Sequence, residues 1–263
     1  MSNDSSNKID ELAEKYQIDK KYIKTALKNL KEHKAIFLTV SGKFGSGKDT
    51  IAPKLIKKLG YTETVHESFA RPLKDEMDEI ISHINNSNSQ KEAIETVKEQ
   101  LDASNPEFVV DVLWNDVKSG AVKSAYDRTL STRRALQYWG TEVRRAIDDL
   151  YWVRKAMQTS IAKIAHGYSI YVTDSRFPNE ADAVSDFNGT IIRLFVSQEE
   201  QTRRLELRDG HAPSADAMTH TSEIAMDSYD FDYIVNTDLY NADEVVDECF
   251  KLLTHKSFQN EKY

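Results

Sequence analysis

Leu12, Tyr16, Ile23, Leu27 and Leu30 recur at helical intervals between Ile9 and about His33. A break near Ile18-Asp19 divides this stretch and predicts two short helices. A helix-turn-helix that contacts DNA is one reading of such a pair, and a plain packing element is the other. The run Ala35–Ser41 is then a short apolar strand that enters a glycine-rich turn. Helical spacing resumes from about Gly47 to Lys58 and stops at Gly60. Thr64–Ala70 reads as a second strand, Lys74–His83 as a helix and Asn85–Ser89 as a loop. Most of residues 90–165 lacks strand signals and reads as helical, with breaks at Ala103–Asn105 and Gly120. Ser169–Thr173, Thr190–Val196 and Tyr233–Asn236 are three further strands. Helices at Gln198–Arg208 and Ala242–Leu253 complete an α/β alternation, and no internal repeat is visible.

Composition narrows the class. The 263 residues are 40% hydrophobic, which is enough for a packed core and argues against overall disorder. No apolar run approaches the roughly 20 residues of a membrane helix, and no apolar signal segment opens the chain. Cys249 is the only cysteine, so an internal disulfide is excluded and a reducing compartment is favoured. The expectation is a soluble, cytoplasmic protein with no membrane partner. Thirty-five Lys and Arg against 43 Asp and Glu give a net charge of −8, which disfavours nucleic acid as a partner. Basic residues gathered in one place therefore stand out.

The strongest chemical signal is Gly42-Lys43-Phe44-Gly45-Ser46-Gly47-Lys48-Asp49-Thr50. Its glycines let successive backbone N–H groups turn toward phosphate oxygens, and the following helix adds its positive end. Lys48 supplies the cation that reaches the β- and γ-phosphates. Asp49 stands where a Ser or Thr hydroxyl usually touches Mg²⁺, with Thr50 one residue later. Pro53 removes a helical hydrogen bond and is expected to bend the helix.

A second signal is Asp174, which closes the apolar strand that starts at Ser169. Ligands of doubly wound sheets sit at the carboxyl ends of strands, where one or two carboxylates suffice for a hydrated Mg²⁺. Arg176 and Glu180 follow it. An arginine fork beside a metal carboxylate suits the phosphate of an acceptor, while a surface Asp–Arg turn is the plain alternative.

Ser131–Leu150 reads as one helix whose stripe Leu136, Trp139, Val143, Ile147 and Leu150 is core. Arg133, Gln137, Gly140 and Arg144 share another face, and Arg133, Arg134, Arg144 and Arg145 are candidates for an anionic acceptor. The Gln137 amide has the donor and acceptor to read a base edge. Trp152 is either a base-stacking ring or a core residue. Arg203, Arg204 and Arg208 lie in one helix before the loop Asp209–Thr219. Lids that close over phosphates bring arginines in this way, and an exposed charged helix paired with Glu199, Glu200 and Glu206 is the alternative.

Together, Ser46–Thr50, Phe69-Ala70-Arg71-Pro72-Leu73-Lys74, Arg134–Glu142, Thr173–Glu180, the Arg203–Arg208 helix and His220-Thr221-Ser222-Glu223 resemble the bacteriophage-type deoxynucleoside monophosphate kinases. The resemblance spans about residues 35–253. Dephospho-CoA kinases and animal phosphomevalonate kinases are similar at the loop and lid, whereas the Leu-Gln-x-x-Gly-Thr-Glu and Asp-x-Arg-Phe-x-Asn-Glu runs favour the deoxynucleotide branch. It implies a three-layer α/β P-loop kinase fold with a mainly parallel five-stranded sheet. The implied organisation is an N-terminal helical extension (1–34) and a kinase domain (35–263), with a helical acceptor-binding insertion at about 75–165 and a lid at about 198–222. The implied activity is transfer of the ATP γ-phosphoryl to a deoxynucleoside monophosphate. ATP would lie on the loop and Arg208, and Mg²⁺ on Asp174 and Asp49. Lys48, Asp174, Arg176, Arg203 and Arg204 would act in transfer. Arg71, Arg133, Arg134, Gln137, Trp152, Arg176 and Glu180 would line the acceptor site. The partners would be small nucleotides, in the host cytoplasm if the chain is phage-encoded; whether it forms a homodimer stays open. Another acceptor (dephospho-CoA or a hydroxymethylated base in phage DNA) and an ATP-dependent sensor are the competing readings.

Overall fold

The computed structural model describes residues 3–211 and 221–259. It contains two compact units, residues 1–69 with 157–263, and residues 70–156.

The first unit is built on five parallel strands, β1 (Phe37–Gly42), β2 (Thr64–Glu67), β3 (Ser169–Val172), β4 (Thr190–Phe195) and β5 (Tyr233–Asn236), in the order β2-β3-β1-β4-β5. Strand order reverses at β1, and that switch point is where an open α/β sheet leaves a crevice at its carboxyl ends. Both faces of β1 and β4 are covered, so apolar residues point to both sides, and Thr39, Ser41 and Arg193 are buried among them. On one face Leu38, Val40, Ile192 and Leu194 pack with Ile51, Leu55, Val245 and Val246 of helices α3 (Lys48–Lys58) and α12 (Ala242–Gln259). On the other lies α9 (Pro178–Asp186), which contacts β1 and β4. The result is a three-layer α/β architecture with an all-parallel sheet in the middle.

Two N-terminal helices, α1 (Asn3–Tyr16) and α2 (Lys20–Lys31), belong to this unit. Gln17 at φ 55° turns the chain between them, and the Asp19 carboxylate accepts from the Lys21 N–H to cap α2. Tyr16 is fully buried against Phe187, with ring centroids 5.5 Å apart, and its hydroxyl donates to Asp186. Helix α3 runs through Pro53 to Lys58, so the lost hydrogen bond does not end it.

The second unit is helical: α4 (Arg71–Asn86), α5 (Gln90–Gln100), α6 (Glu107–Lys118), α7 (Leu130–Tyr138), a π-helical segment (Trp139–Arg145) and the first turns of α8 (Tyr151–Ala165). Its core gathers Met77, Ile80, Ile84, Val109, Leu113, Trp139 and Trp152. The single helix expected over Ser131–Leu150 is therefore α7, the π-helical segment and a non-helical turn over residues 146–150. The Ala146 N–H donates to the Thr141 carbonyl five residues back, and this wider turn rotates later residues out of α-helical phase. In consequence Ile147 is 74% exposed rather than core, and Arg144 is buried at 7% rather than on the face of Arg133.

Glu76 organises the interior of this unit. Its carboxylate accepts from the Trp139 indole N–H (3.0 Å), Arg144 Nε (3.0 Å), Lys155 Nζ (2.7 Å) and the Tyr151 hydroxyl. Burial raises its pKa, but the donors of Lys155, Tyr151 and Trp139 and the charge of Arg144 outweigh burial and hold the carboxyl below its ordinary value.

Candidate functional site

The loop Gly42–Lys48 leaves the carboxyl end of β1 and enters α3. Gly47, at φ 91°, caps α3 in a left-handed conformation that a side chain disfavours. Gly42 is required by proximity: a Cβ there would stand 2.3 Å from Ser46 Oγ and 2.9 Å from the Leu194 carbonyl oxygen. Lys48 is the first residue of α3 and is 9% exposed. Burial pulls its pKa down; Asp49, Glu223 and Asp174 oppose the shift and Arg176 adds to it.

The carbonyl oxygens of the loop are engaged by helix α10 (Gln198–Asp209). Gln201 Nε2 donates to the Phe44 carbonyl (2.8 Å) and Arg204 Nη1 to that of Gly45 (3.3 Å). Arg204 also donates to Thr237 Oγ1 and to the Thr237 carbonyl, and it pairs with Glu200. This arginine thus buttresses the loop and its neighbouring strand end. Arg203, 60% exposed at its side chain, pairs with Glu200, and the exposed Arg208 pairs with Asp209. Of the expected lid, residues 212–220 lie outside the described residues.

Past β3, Asp174 accepts from the Ser68 hydroxyl and the Phe69 N–H (3.0 Å). Oε2 of Glu180 accepts from the N–H groups of Arg176 (2.7 Å) and Phe177 (3.2 Å). Glu180 is 4% exposed and caps α9, so its observed work is to fix the backbone of Arg176. The Arg176 side chain pairs with Glu223, in the short helix α11 (Thr221–Ile224). Glu223 also accepts from the Phe44 N–H (2.9 Å). Beside them, Arg193 of β4 donates to Ser41 Oγ and to Asp227, which also holds Lys43.

Two buried hydroxyls here, Ser46 Oγ in the loop and Ser175 Oγ between Asp174 and Arg176, have no hydrogen-bond partner among the described residues. A phosphate oxygen is an acceptor of the right kind for the first of them, so the loop fits a polyphosphate. Among the described residues no group of three or more His, Cys, Asp or Glu could cage a metal. Asp174 and the exposed Asp49 are single carboxylates, a donor set that fits Mg²⁺ bound chiefly by phosphates and water.

The loop opens on a cavity of about 510 Å³ lined by Ser46, Gly47 and Thr50, by Glu200, Arg203 and Arg204, and by Thr237, Asp238, Tyr240 and Asn241 after β5. That volume suits a nucleoside. A larger cavity of about 720 Å³ lies at the other end of the sheet, beside Ala35–Phe37 and Thr190 where β1 and β4 begin, and away from these groups.

In the second unit, Arg71 opens α4, and Arg133, Arg134 and Gln137 are exposed on α7. Arg134 lies over the Phe108 ring at 5.8 Å. Trp152 takes the core alternative: it is 2% exposed and its indole N–H donates to the Gly140 carbonyl (3.0 Å). Arg144, weighed above for an anionic acceptor, is instead paired with Glu76.

Sequence reasoning assigned no role to Gln201, Glu223, Arg193, Thr237, Tyr240 or Asn241. Glu223 was visible only as part of the His220–Glu223 run, and Gln201 only through its place three residues before Arg204. The others carry no local pattern.

None of the curated proteins matches this sequence. Among solved structures, the chain is similar to the crystal structure of TT1252 from Thermus thermophilus, at 14% identity and a TM-score of 0.44, over 84% of this chain and 97% of that one. Residues 90–226, just over half of the chain, match the family model for deoxynucleotide monophosphate kinase. The chain belongs to the deoxynucleotide monophosphate kinase family.

Proposed function

We propose that the protein transfers the γ-phosphoryl group of ATP to a deoxynucleoside 5′-monophosphate, giving the diphosphate and ADP. The observation that carries this reading is the phosphate loop, with a buried Lys48 and an orphaned Ser46 hydroxyl, opening directly on a nucleoside-sized cavity. Membership of the family supports the acceptor class.

On this reading the donor base and ribose occupy the 510 Å³ cavity, where Arg203, Tyr240 and Asn241 are the groups able to stack on or bond to them. The triphosphate lies on the backbone N–H groups of Gly45–Lys48 and at the positive end of α3. Gln201 and Arg204 occupy the loop carbonyls, so the loop presents donors to the anion rather than competing acceptors. Lys48 and Arg176 neutralise charge on the transferring phosphoryl. Asp174 and Asp49 are the carboxylates proposed to hold Mg²⁺, which when bound shields phosphate charge. Arg176, Arg71, Arg133 and Arg134 are proposed for the acceptor phosphate, and Gln137 for its base. Glu180 and Trp152 enter as supports, of Arg176 and Gly140 respectively.

The acceptor phosphate oxygen is itself the nucleophile. It attacks the γ-phosphorus, the bond to the β–γ bridging oxygen breaks, and ADP leaves with that oxygen. Positioning and charge neutralisation carry the rate, and no protein nucleophile is required. The test is ADP release from Mg²⁺-ATP against the four common deoxynucleoside monophosphates, hydroxymethylated pyrimidine forms, AMP, GMP and dephospho-CoA. Release that depends on at least one deoxynucleotide is expected. ATP binding with no acceptor-dependent release would overturn the reading.

A further inference from the structure

We infer that Glu223 is a positioning residue for phosphoryl transfer: its buried carboxylate ties the phosphate loop to Arg176 and fixes the arginine fork beside Lys48. The inference rests on the reading of Arg176 as a phosphate-binding group.

A carboxylate is an unexpected neighbour for an anion site, because it repels the phosphates the site must hold. Glu223 is nevertheless buried there, with its side chain 6% exposed. One oxygen accepts the Phe44 N–H at 2.9 Å, and the other takes Nη1 of Arg176. A buried charge persists only when paired and hydrogen-bonded, and both conditions are met. Lys48 and Arg193 also feel its charge, so it acts on two further cations besides Arg176. Glu223 thereby balances a cluster of like charges that would otherwise push Lys48 and Arg176 apart.

Glu180 and Glu223 hold Arg176 at two points. Its backbone N–H is held by Glu180 at 2.7 Å and one end of its guanidinium by Glu223. Nε and Nη2 have no hydrogen-bond partner among the described residues, which leaves part of the fork available to phosphate oxygens. The side chain is 37% exposed, so without Glu223 it would range over many rotamers in water. Pinning it beforehand removes that ordering from the transfer step. Because the same carboxylate holds the loop, the arginine and the loop that carries the donor are set in one register.

The experiment is a double-mutant cycle on the full chain with Glu223→Gln, Arg176→Ala and the pair, reading kcat and the KM for ATP separately. Glu223→Gln keeps an oxygen for the Phe44 N–H and loses the charge that holds Arg176. The expected result is a fall in kcat of about 10- to 100-fold with KM for ATP within about 3-fold, partial rescue by Glu223→Asp, and no further loss when Glu223→Gln is added to Arg176→Ala. Losses that multiply in the double variant would overturn the inference, since Glu223 would then act independently of Arg176. An unchanged kcat with tighter ATP binding would also overturn it, and would make Glu223 a competitor of the phosphates instead. If Glu223→Gln does not fold, the cycle is run with Glu223→Asp, and the same absence of further loss is expected. A wild-type chain that transfers no phosphoryl to any acceptor would refute the kinase reading itself. Wild-type transfer with an unaffected Arg176→Ala variant would remove only the role given to that arginine.

Discussion

Glu76→Gln probes the second unit at the point where its geometry is most costly to disturb. The substitution preserves shape and removes the charge that Arg144 and Lys155 both answer. These two partners are not equal. The Lys155 side chain is 42% exposed and turns to water when released, so its contribution is small. The Arg144 side chain is 8% exposed; it keeps the carbonyl oxygens of Leu101 and Asp102 but loses the Glu76 carboxylate, its only one at hydrogen-bond distance among the described residues. Removing one partner of a buried pair costs about 3–5 kcal/mol, and that figure applies to the Arg144 side alone. At about 2–4 °C per kcal/mol for a chain of this size, Tm falls by about 6–20 °C. All three tryptophans, Trp114, Trp139 and Trp152, lie in residues 70–156, so their fluorescence during urea unfolding reports this unit selectively. The paired replacement Glu76→Leu with Arg144→Met leaves no buried charge over but strands the Trp139 indole N–H, so it is expected to restore part of the loss. A loss below about 1 kcal/mol for Glu76→Gln, or a double variant no better than the single, would refute the account of this network.

Lys48→Ala is expected to lower kcat by about 10³-fold or more, because it removes a positive charge at the transferring phosphoryl; rate measurement at saturating ATP checks this. Burial lowers the pKa of Lys48, so the wild-type chain should lose ATP affinity as pH rises toward the ordinary lysine range, earlier than an exposed lysine would dictate. Over that window the unfolded chain binds more protons, so the lysine's effect on the unliganded fold is stabilising as pH increases. Isothermal titration of ATP from pH 7 to 10 should show this slope in the wild type and a flatter one in Lys48→Ala. Arg204→Ala frees the Gly45 and Thr237 carbonyls and should raise KM for ATP about 10-fold, which rate measurement across ATP concentrations checks. Cys249 is fully buried and its thiol is pushed up to about 12, first by burial and then by Glu248. A thiol reagent at pH 8 should therefore modify it only as fast as the chain unfolds, and rapid native labelling would contradict its placement.

What the sequence made legible follows from locality. The strand, glycine turn and helix at Ala35–Lys58 are consecutive, so composition and spacing alone place Lys48 at the carboxyl end of a buried strand. Asp174 is marked in the same way by the apolar run before it. The stretch Ser131–Leu150 misled because its apolar spacing is helical on paper, while the insertion of a π turn after Tyr138 is a tertiary outcome. Trp139 and Arg144 both reach Glu76, more than 60 residues away in sequence, and satisfying that buried carboxylate sets the local winding. Arg204 and Glu180 show a related limit. Their residue types suit phosphate or acceptor contacts, yet one holds loop carbonyls and the other caps a helix, and only the fold reveals those partners. Glu223 lies nearly 180 positions from Phe44, and no periodicity joins the two.

The central claim is that this chain moves a phosphoryl group between nucleotides rather than to water. It is tested most directly by single-turnover transfer of labelled γ-phosphoryl from Mg²⁺-ATP in the presence of each deoxynucleoside monophosphate. Label is expected in a deoxynucleoside diphosphate, with its appearance slowed about 10³-fold or more by Lys48→Ala. Label found only as inorganic phosphate, at a rate indifferent to every acceptor, would contradict it.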